Sequence, residues 1–347
     1  MTSPPRMDDV DLQLIQMLQM APLISWTAAA RILELSPNAL AARWRRLREQ
    51  GLAWIVLHPG RLATGHVAGF VHITCRPNRR SALAAELSRD GWVVSVEECA
   101  SGRDLLLTVL HRDLDGLGSL VLDDLGSRAG VREVRTSIVT TLHADGSDWR
   151  LNALDAAQRS AISLSLHGES YQQSSPPLEV EDWPLIEVLS LDPRTPVAEL
   201  ARASGRTPRV ARRQLDRLTA TGWVTFRCDM AFRAVGWPIL CSWLARVSPA
   251  DLTLAVAELR ALPQLRLCAS VTGEANLVFT VFSRSLAGLS RFEQSLAERI
   301  PGLIICESFV HLRGVKRMGW LLEADGRCTG EVITPSIYAP LADDVAE

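Results

Sequence analysis

Apolar residues recur at helical spacing near the start of the chain, where Val10, Leu14, Ile15 and Leu18 share one face. A short second helix is expected at 26–33 behind a Ser25 cap. Ser36-Pro37 then supplies an N-cap and a first-turn proline for a third helix. That helix should run to about Gln50, with Gly51 standing where a left-handed terminus is wanted. Leu40, Trp44 and Leu47 form its apolar stripe. Beyond it strand-like apolar runs alternate with amphipathic helices. Strands are expected at about 67–74, 93–100, 105–110 and 131–142, and helices at about 81–89 and 114–125. The order β-α-β-β-α-β is the ferredoxin-like arrangement.

The whole pattern then repeats. A shift of 171 residues superposes Asp11 on Asp182, Ile15 on Ile186, Leu18 on Leu189, Pro37 on Pro208, Leu47 on Leu218 and Gly51 on Gly222. Gly102 still meets Gly273, and one residue of extra shift then brings Asp104 onto Asn276. So long a period means domain duplication and not a solenoid. In the second copy Thr195-Pro196 and Thr207-Pro208 open the second and third helices, Ala211, Leu215 and Leu218 make the stripe, and Gly222 closes it. Strands are expected there at about 239–247, 265–271, 277–282 and 303–312, and helices at about 251–262 and 286–299. The expected fold class is α+β, in two tandem units. Each unit is a winged helix-turn-helix (8–61 and 182–232) followed by a ferredoxin-like domain (62–142 and 233–322). Residues 143–181, with two arginines against six acids, read as an acidic connector with a helix at about 152–166. Residues 323–347 read as a short, poorly ordered tail.

Composition narrows the function classes. With 47% apolar and 22% charged residues and a net charge of −2, the chain is not a disordered polymer. It has no apolar run near the roughly 18–20 residues of a membrane span and no basic-then-apolar leader pattern. Its seven cysteines include no C-x-x-C pair, so neither a disulfide framework nor a zinc knuckle is expected. The expectation is a cytoplasmic protein with no metal, cofactor or membrane partner. Positive charge is local: 1–61 nets +2 and 182–227 nets +3. It gathers on the third helices, whose faces away from the stripe carry Asn38, Ala39, Ala42, Arg43, Arg45, Arg46 and Arg48 in one copy. The other copy presents Arg209, Val210, Arg212, Arg213, Gln214 and Arg217, with Arg206 just before. Arginine pairs bidentately with guanine and Asn or Gln with adenine in the major groove. Amides at the helix starts, by Ser36 and Thr207, suit a phosphate. For one such helix a solvated arginine face is the ordinary explanation; two in register point to double-stranded DNA. The candidate DNA contacts are Ser36, Asn38, Ala39, Ala42, Arg43, Arg46, Thr207, Arg209, Arg212, Arg213, Gln214 and Arg217, with Arg43 and Arg213 the expected base readers.

The chain resembles the leucine-responsive and asparagine-synthase regulators of bacteria, the Lrp/AsnC family. The resemblance is carried by Asp11-x-x-Leu14-Ile15-x-x-Leu18, by Ser36-Pro37 through Arg46-Leu47 and Gly51, and by 102–109. In the second copy it is carried by 185–189, 207–218, Gly222 and 273–281. It implies DNA binding through the third helix, association into homo-oligomers through the α/β domain, and response to a small effector, often an amino acid. The family's effector pocket, carried over, falls on Ser101, Gly102 and Asp104, and on Thr272, Gly273 and Asn276, with Thr136 and Ser308 on the last strands. A turn glycine with a turn-capping Asp or Asn is the other explanation of those loops. Copy one is a residue shorter there, and copy two lacks the Asp. The expected function is therefore sequence-specific regulation of transcription, modulated by a small effector; an effector-independent architectural DNA binder is the alternative. Siroheme decarboxylases share the two-domain unit, but their sites resemble a His- and Tyr-rich stretch. The corresponding 95–109 and 268–281 contain neither residue. His72 and Cys75 fall on opposite faces of a strand, and no catalytic motif is present, so no enzyme activity is expected.

Overall fold

A computed structural model describes residues 7–60, 66–100, 102–165 and 178–340. The first unit opens with α1 (Asp9–Met20), α2 (Trp26–Leu33) and α3 (Pro37–Glu49). Each starts on a side-chain cap: Asp8 accepts from the Asp11 amide, Ser25 from Ala28 and Ser36 from Ala39. Then come β1 (Ala53–His58), β2 (Val67–Cys75), α4 (Arg80–Leu87), β3 (Val93–Ala100), β4 (Leu105–His111), α5 (Leu114–Gly118) and β5 (Val131–Ala144). The helix expected to reach 125 stops early because its backbone widens into a π-type turn over Ser119–Asp124. After α6 (Ala156–Ser165), the second unit repeats the order with α7 (Trp183–Leu191), α8 (Val197–Ala203), α9 (Pro208–Ala220) and β6 (Thr225–Met230). It continues with β7 (Ile239–Arg246), α10 (Leu252–Arg260), β8 (Leu265–Val271), β9 (Leu277–Ser283), α11 (Leu286–Arg299) and β10 (Ile304–Arg317). A short hairpin, β11 (Trp320–Leu322) and β12 (Cys328–Val332), follows.

The units meet as two halves of a dimer would. The wing strands β1 and β6 pair antiparallel, and Val56 lies opposite Arg227, its own counterpart under the 171-residue shift. The pseudo-twofold axis of the duplication therefore passes through that pair. Below it the two ferredoxin-like sheets join edge to edge twice. β5 pairs with β8, placing Val139 opposite Val271, and β10 pairs with β3, placing Val310 opposite Ala100. Eight strands thus close into a ring, which removes the open edges that a single sheet would expose. Its interior holds Phe70, Cys99, Leu106, Leu244, Ala269, Val278 and Phe309, drawn from both units. The α/β domains associate within one chain.

Two expectations about the flanking segments need correction. The connector is a structural part of the first helix-turn-helix. Trp149, Leu151, Leu154 and Ile162 are buried in its core, and Gln16 and Gln19 on α1 accept the amides of Leu154 (2.7 Å) and Leu151 (2.9 Å). Its helix begins at Ala156, four residues later than expected; the polar stretch 168–177 lies outside the described residues. The segment expected to be a loose tail is built through residue 340. The Cys328 amide donates to the Gly51 carbonyl (2.9 Å), Ile337 and Tyr338 are buried in the core of the second helix-turn-helix, and the Tyr338 hydroxyl donates to the Trp223 carbonyl (3.2 Å). This contact gives Gly51 two reasons to be glycine. Its φ is +66°, and a Cβ would stand 2.2 Å from the Cys328 oxygen.

Candidate nucleic-acid interface

The two helix-turn-helix modules are fastened to each other as well as to the ring. Arg48, at the end of α3, pairs with Asp192 in the turn after α7. Arg194 donates to the carbonyls of Pro22 (2.8 Å) and Ile24 (2.7 Å) and lays its guanidinium 4.0 Å from the Trp26 ring. Burial lowers the Arg194 pKa to about 10, so the cation–π contact persists at neutral pH. The third helices thus hang from a rigid pair, with their N-terminal turns exposed: Ser36, Pro37 and Asn38 on one, Thr207, Pro208 and Arg209 on the other.

The arginines divide into two groups. Arg43 reaches back across its own module to Asp8 (2.7 Å) and Asp11 (2.9 Å), and Arg46 to Asp11 (2.6 Å). Asp11 is 1% exposed, so these pairs anchor α3 on α1. Burial works to raise the Asp8 pKa, but the Arg43 contact outweighs it and the carboxyl sits below its ordinary range. The second unit repeats the device: Arg217 pairs with buried Asp182 and with Glu179 (3.3 Å), and Gln214 donates to the Glu181 carbonyl (3.2 Å). Four of the expected DNA contacts (Arg43, Arg46, Gln214 and Arg217) are thus engaged inside their modules, each bonded to a residue of its own first helix or of the turn before it. Two of them hold equivalent places in the repeat. Arg46 follows Asp11, and Arg217 follows Asp182, by the same 35 residues.

The remaining candidates face outward. Asn38 and Ala42 are exposed and Ala39 is half-buried on α3; Arg45 is exposed there with Glu49 4.0 Å away. On α9 and the turn before it, Arg206, Arg209, Arg212 and Arg213 are all exposed and have no ion pair among the described residues. The outward face of the second module is therefore far more cationic than that of the first.

The loops matched to the effector pocket are brought to the joins between units, each leaning on the last strand of the other unit. Arg103 pairs with Glu307 (2.8 Å) on β10; the Thr272 amide donates to the Ile138 carbonyl on β5 (2.9 Å), and the Thr272 hydroxyl accepts the Ile138 amide (3.0 Å). Asp104 accepts the Cys75 amide (2.7 Å) and pairs with Arg80; Asn276 accepts the Val247 amide (3.0 Å) and donates to its carbonyl (2.8 Å). The two residues clamp equivalent strand ends, as turn-capping groups do. Gly102 is exposed with open space around it, Gly273 takes φ +120°, Thr136 keeps a buried, unpartnered hydroxyl and Ser308 is exposed. Ser101 lies outside the described residues. His72 is buried against Phe309 while Cys75 sits in the first unit's own core. Among the described residues no three His, Cys, Asp or Glu side chains gather where a metal ion could be held, and no described helix is long and apolar enough to cross a membrane.

Duplicated winged helix-turn-helix heads on duplicated ferredoxin-like domains define a tandem regulator of transcription. Known proteins agree. The AsnC-type helix-turn-helix domain matches residues 7–48, the Lrp/AsnC ligand binding domain matches 68–147 and again 244–321, and a winged helix-turn-helix DNA-binding domain matches 182–225. The chain belongs to the Lrp/AsnC family. Among its relatives, HTH-type transcriptional regulator FL11 of Pyrococcus furiosus is 26% identical over 145 residues, which is 41% of this chain and 95% of that protein. HTH-type transcriptional regulator AldR of Mycolicibacterium smegmatis is 24% identical over 139 residues, 38% of this chain and 81% of AldR. Each relative corresponds to one unit. The whole tandem has its likeness in the crystal structure of the siroheme decarboxylase NirDL, with a TM-score of 0.59 over 89% of this chain and 93% of that one. At 12% identity that likeness shows the fold alone.

Proposed function

We propose that this chain regulates transcription by binding double-stranded DNA sequence-selectively, with one polypeptide supplying both reading heads. The observation that supports this reading is the pair of third helices, related by the axis through Val56 and Arg227, with exposed N-terminal turns and locked through Arg48–Asp192 and Arg194. Two heads so related fit half-sites about 34 Å apart, one helical turn of the duplex. Because Asn38-Ala39 on one helix stands against Arg209-Val210 on the other, the half-sites differ and the operator is an imperfect palindrome. The reading places the protein in the cytoplasm with its DNA, needs no cofactor and includes no catalytic step. Homo-oligomers would use surfaces outside the closed ring.

Selection from a random duplex library tests it. The expected result is two unequal half-sites at one-turn spacing. A symmetric consensus contradicts the division between heads, and failure to enrich any sequence contradicts sequence-selective binding. The second arm of the reading is a small effector that shifts DNA affinity by binding two states of the protein unequally. The self-bonded state of Asp104, Thr272 and Asn276 speaks against those loops as its contacts.

A further inference from the structure

A cavity of about 50 Å³ lies where the linker after β6 crosses β3 and β10 beneath the C-terminal hairpin. Its walls include Glu97, Phe232, Arg233, His311, Arg313 and Arg317. Of its three guanidiniums, Arg313 is paired with Glu98 (2.5 Å) and Arg233 donates to the Leu312 carbonyl (2.7 Å), which leaves Arg317 and the lining carboxylate Glu97. Burial works to raise the Glu97 pKa, but His311, Arg317 and Arg266 outweigh it, and the group is held in its charged form.

On these walls one buried atom, His311 Nδ1, has no hydrogen-bond partner, and the Arg317 guanidinium is held only by long contacts. Arg317 is 9% exposed, yet its contacts are all long: the Met230 carbonyl at 3.5 Å, and Glu97 and Asp229 each at 3.9 Å. A guanidinium paired to a carboxylate normally sits about 2.7–2.9 Å away. Asp229 cannot come closer, because it already holds Arg266 (3.1 Å) and Arg227 (3.5 Å). Phe232 fixes the Arg317 plane by stacking 4.2 Å from it. His311, with a side chain 6% exposed, meets the Ser242 hydroxyl through Nε2 (2.8 Å), while its Nδ1 is turned to Glu97 but stays 3.7 Å from the nearest oxygen, too far for a full hydrogen bond. Buried donors left without acceptors cost stability, and such sites are ordinarily completed by something else.

We propose that this cavity binds the carboxylate of a small organic acid, held by Arg317 and the His311 Nδ1 hydrogen, with Arg233 at its mouth. The volume holds a few non-hydrogen atoms, on the scale of roughly 30 Å³ per water. A planar, singly charged carboxylate fits the guanidinium fork. A phosphate dianion would bring a second charge and a tetrahedral outline against Glu97. The site belongs to one unit only, since the strand register matches Glu97 to Ala269 and Arg317 to Asp145 in the repeat. Its walls join the root of the second wing to the ring, so an occupant there would bias the position of the second reading head. That consequence rests on the regulator reading; the binding itself does not.

Titration calorimetry on the full chain in chloride buffer, with acetate, propionate and inorganic phosphate as probes, tests the site. The expected result is saturable binding of a carboxylate, weaker binding of phosphate, and loss of the signal in Arg317→Gln. Arg233→Gln, at an exposed position that threatens no fold, should weaken binding about tenfold, the scale of one charged hydrogen bond. Absence of saturable heat with either carboxylate overturns the proposal, as does unchanged affinity in both variants or tighter binding of phosphate. DNA binding measured in the same preparations keeps the two readings apart. Carboxylate binding without DNA binding sinks the regulator reading alone, and the reverse sinks the cavity alone.

Discussion

The division of arginines between the two heads has a measurable consequence in salt. Replacing Arg209, Arg212 and Arg213 by alanine removes three exposed guanidiniums that no carboxylate among the described residues holds, so their counterions are free to be displaced by phosphates. Each phosphate neutralised on B-DNA adds about 0.9 to the slope of log affinity against log salt, so three contribute about 2.7. Across a fourfold rise, from about 50 to about 200 mM, that is a loss of roughly 40-fold in wild-type affinity which the triple variant escapes. The matched change in the first head is Arg43→Gln with Arg46→Gln. These side chains already neutralise Asp8 and Asp11, and the slope should stay within about half a unit of wild type. Fluorescence anisotropy of a labelled duplex at several salt concentrations gives both slopes. A scrambled duplex separates roles within the triple. A base-reading arginine costs about 1–3 kcal/mol on the selected site and little on the scrambled one, whereas a phosphate contact weakens both alike. Equal slopes for wild type and the triple variant would refute the reasoning, and so would an equal change from the pair in the first head.

Three further expectations concern the scaffold. Arg217→Ala should destabilise the chain by about 2 kcal/mol, because buried Asp182 keeps only neutral donors, the Glu179 amide (3.0 Å) and Gln214 (3.4 Å), while Arg46→Ala should cost about half as much because Asp11 retains the Arg43 cation; urea denaturation ranks them, and a reversed order contradicts the assignment. Lys316, the only lysine, is fully buried against the Asp90 carbonyl (2.8 Å), and burial lowers its pKa from 10.5 to about 8. Between those values the unfolded chain holds a proton that the folded chain does not, so this group's contribution to stability rises with pH through the window, by on the order of 3 kcal/mol. The stability of wild type relative to Lys316→Met should therefore increase between pH 8 and pH 10.5, and a constant difference across that window would contradict the burial cost. Tyr338→Ala should loosen the second helix-turn-helix by about 3 kcal/mol, seen as faster amide exchange in α7 and α9 with α1 and α3 unchanged; equal exchange throughout would show that the C-terminal segment is not a fastener.

What could be read along the chain was what local chemistry encodes. α2 occupies 26–33 as expected, and α3 and α9 start on Ser36-Pro37 and Thr207-Pro208, because a cap, a proline and an apolar stripe act within one or two turns. The side chains that leave the stripe were not equally legible. A helical wheel puts Arg46 and Arg213 both well away from the apolar stripe, but a guanidinium is long enough to travel back to an acid on a neighbouring helix, and only the tertiary fold decides which one does. The joins β5–β8 and β10–β3 were illegible for a related reason. An edge strand bound to the other unit has the same alternation as one bound to its own. The hairpin β11–β12 and the turn holding Tyr338 were too short to carry a period, and they are fixed by what they touch, Gly51 and Trp223.

The duplication keeps geometry and divides chemistry. Val56 faces Arg227, and the edge joins recur on both sides of the ring, so the two heads are held as a symmetric pair would be. The charges do not follow that symmetry. Exposed arginines without an ion pair among the described residues gather on α9, Arg317 and His311 lie beside the second linker, and their counterparts in the repeat are of other kinds. In a dimer of identical chains any change to one head is imposed on both, whereas a fused pair lets one head gain phosphate contacts while the other depends on Asn38 and its neighbours. Cationic attraction raises affinity for every sequence, and groove contacts discriminate among them. Placing the first mainly on the second head would let the first head discriminate without also having to supply the overall affinity.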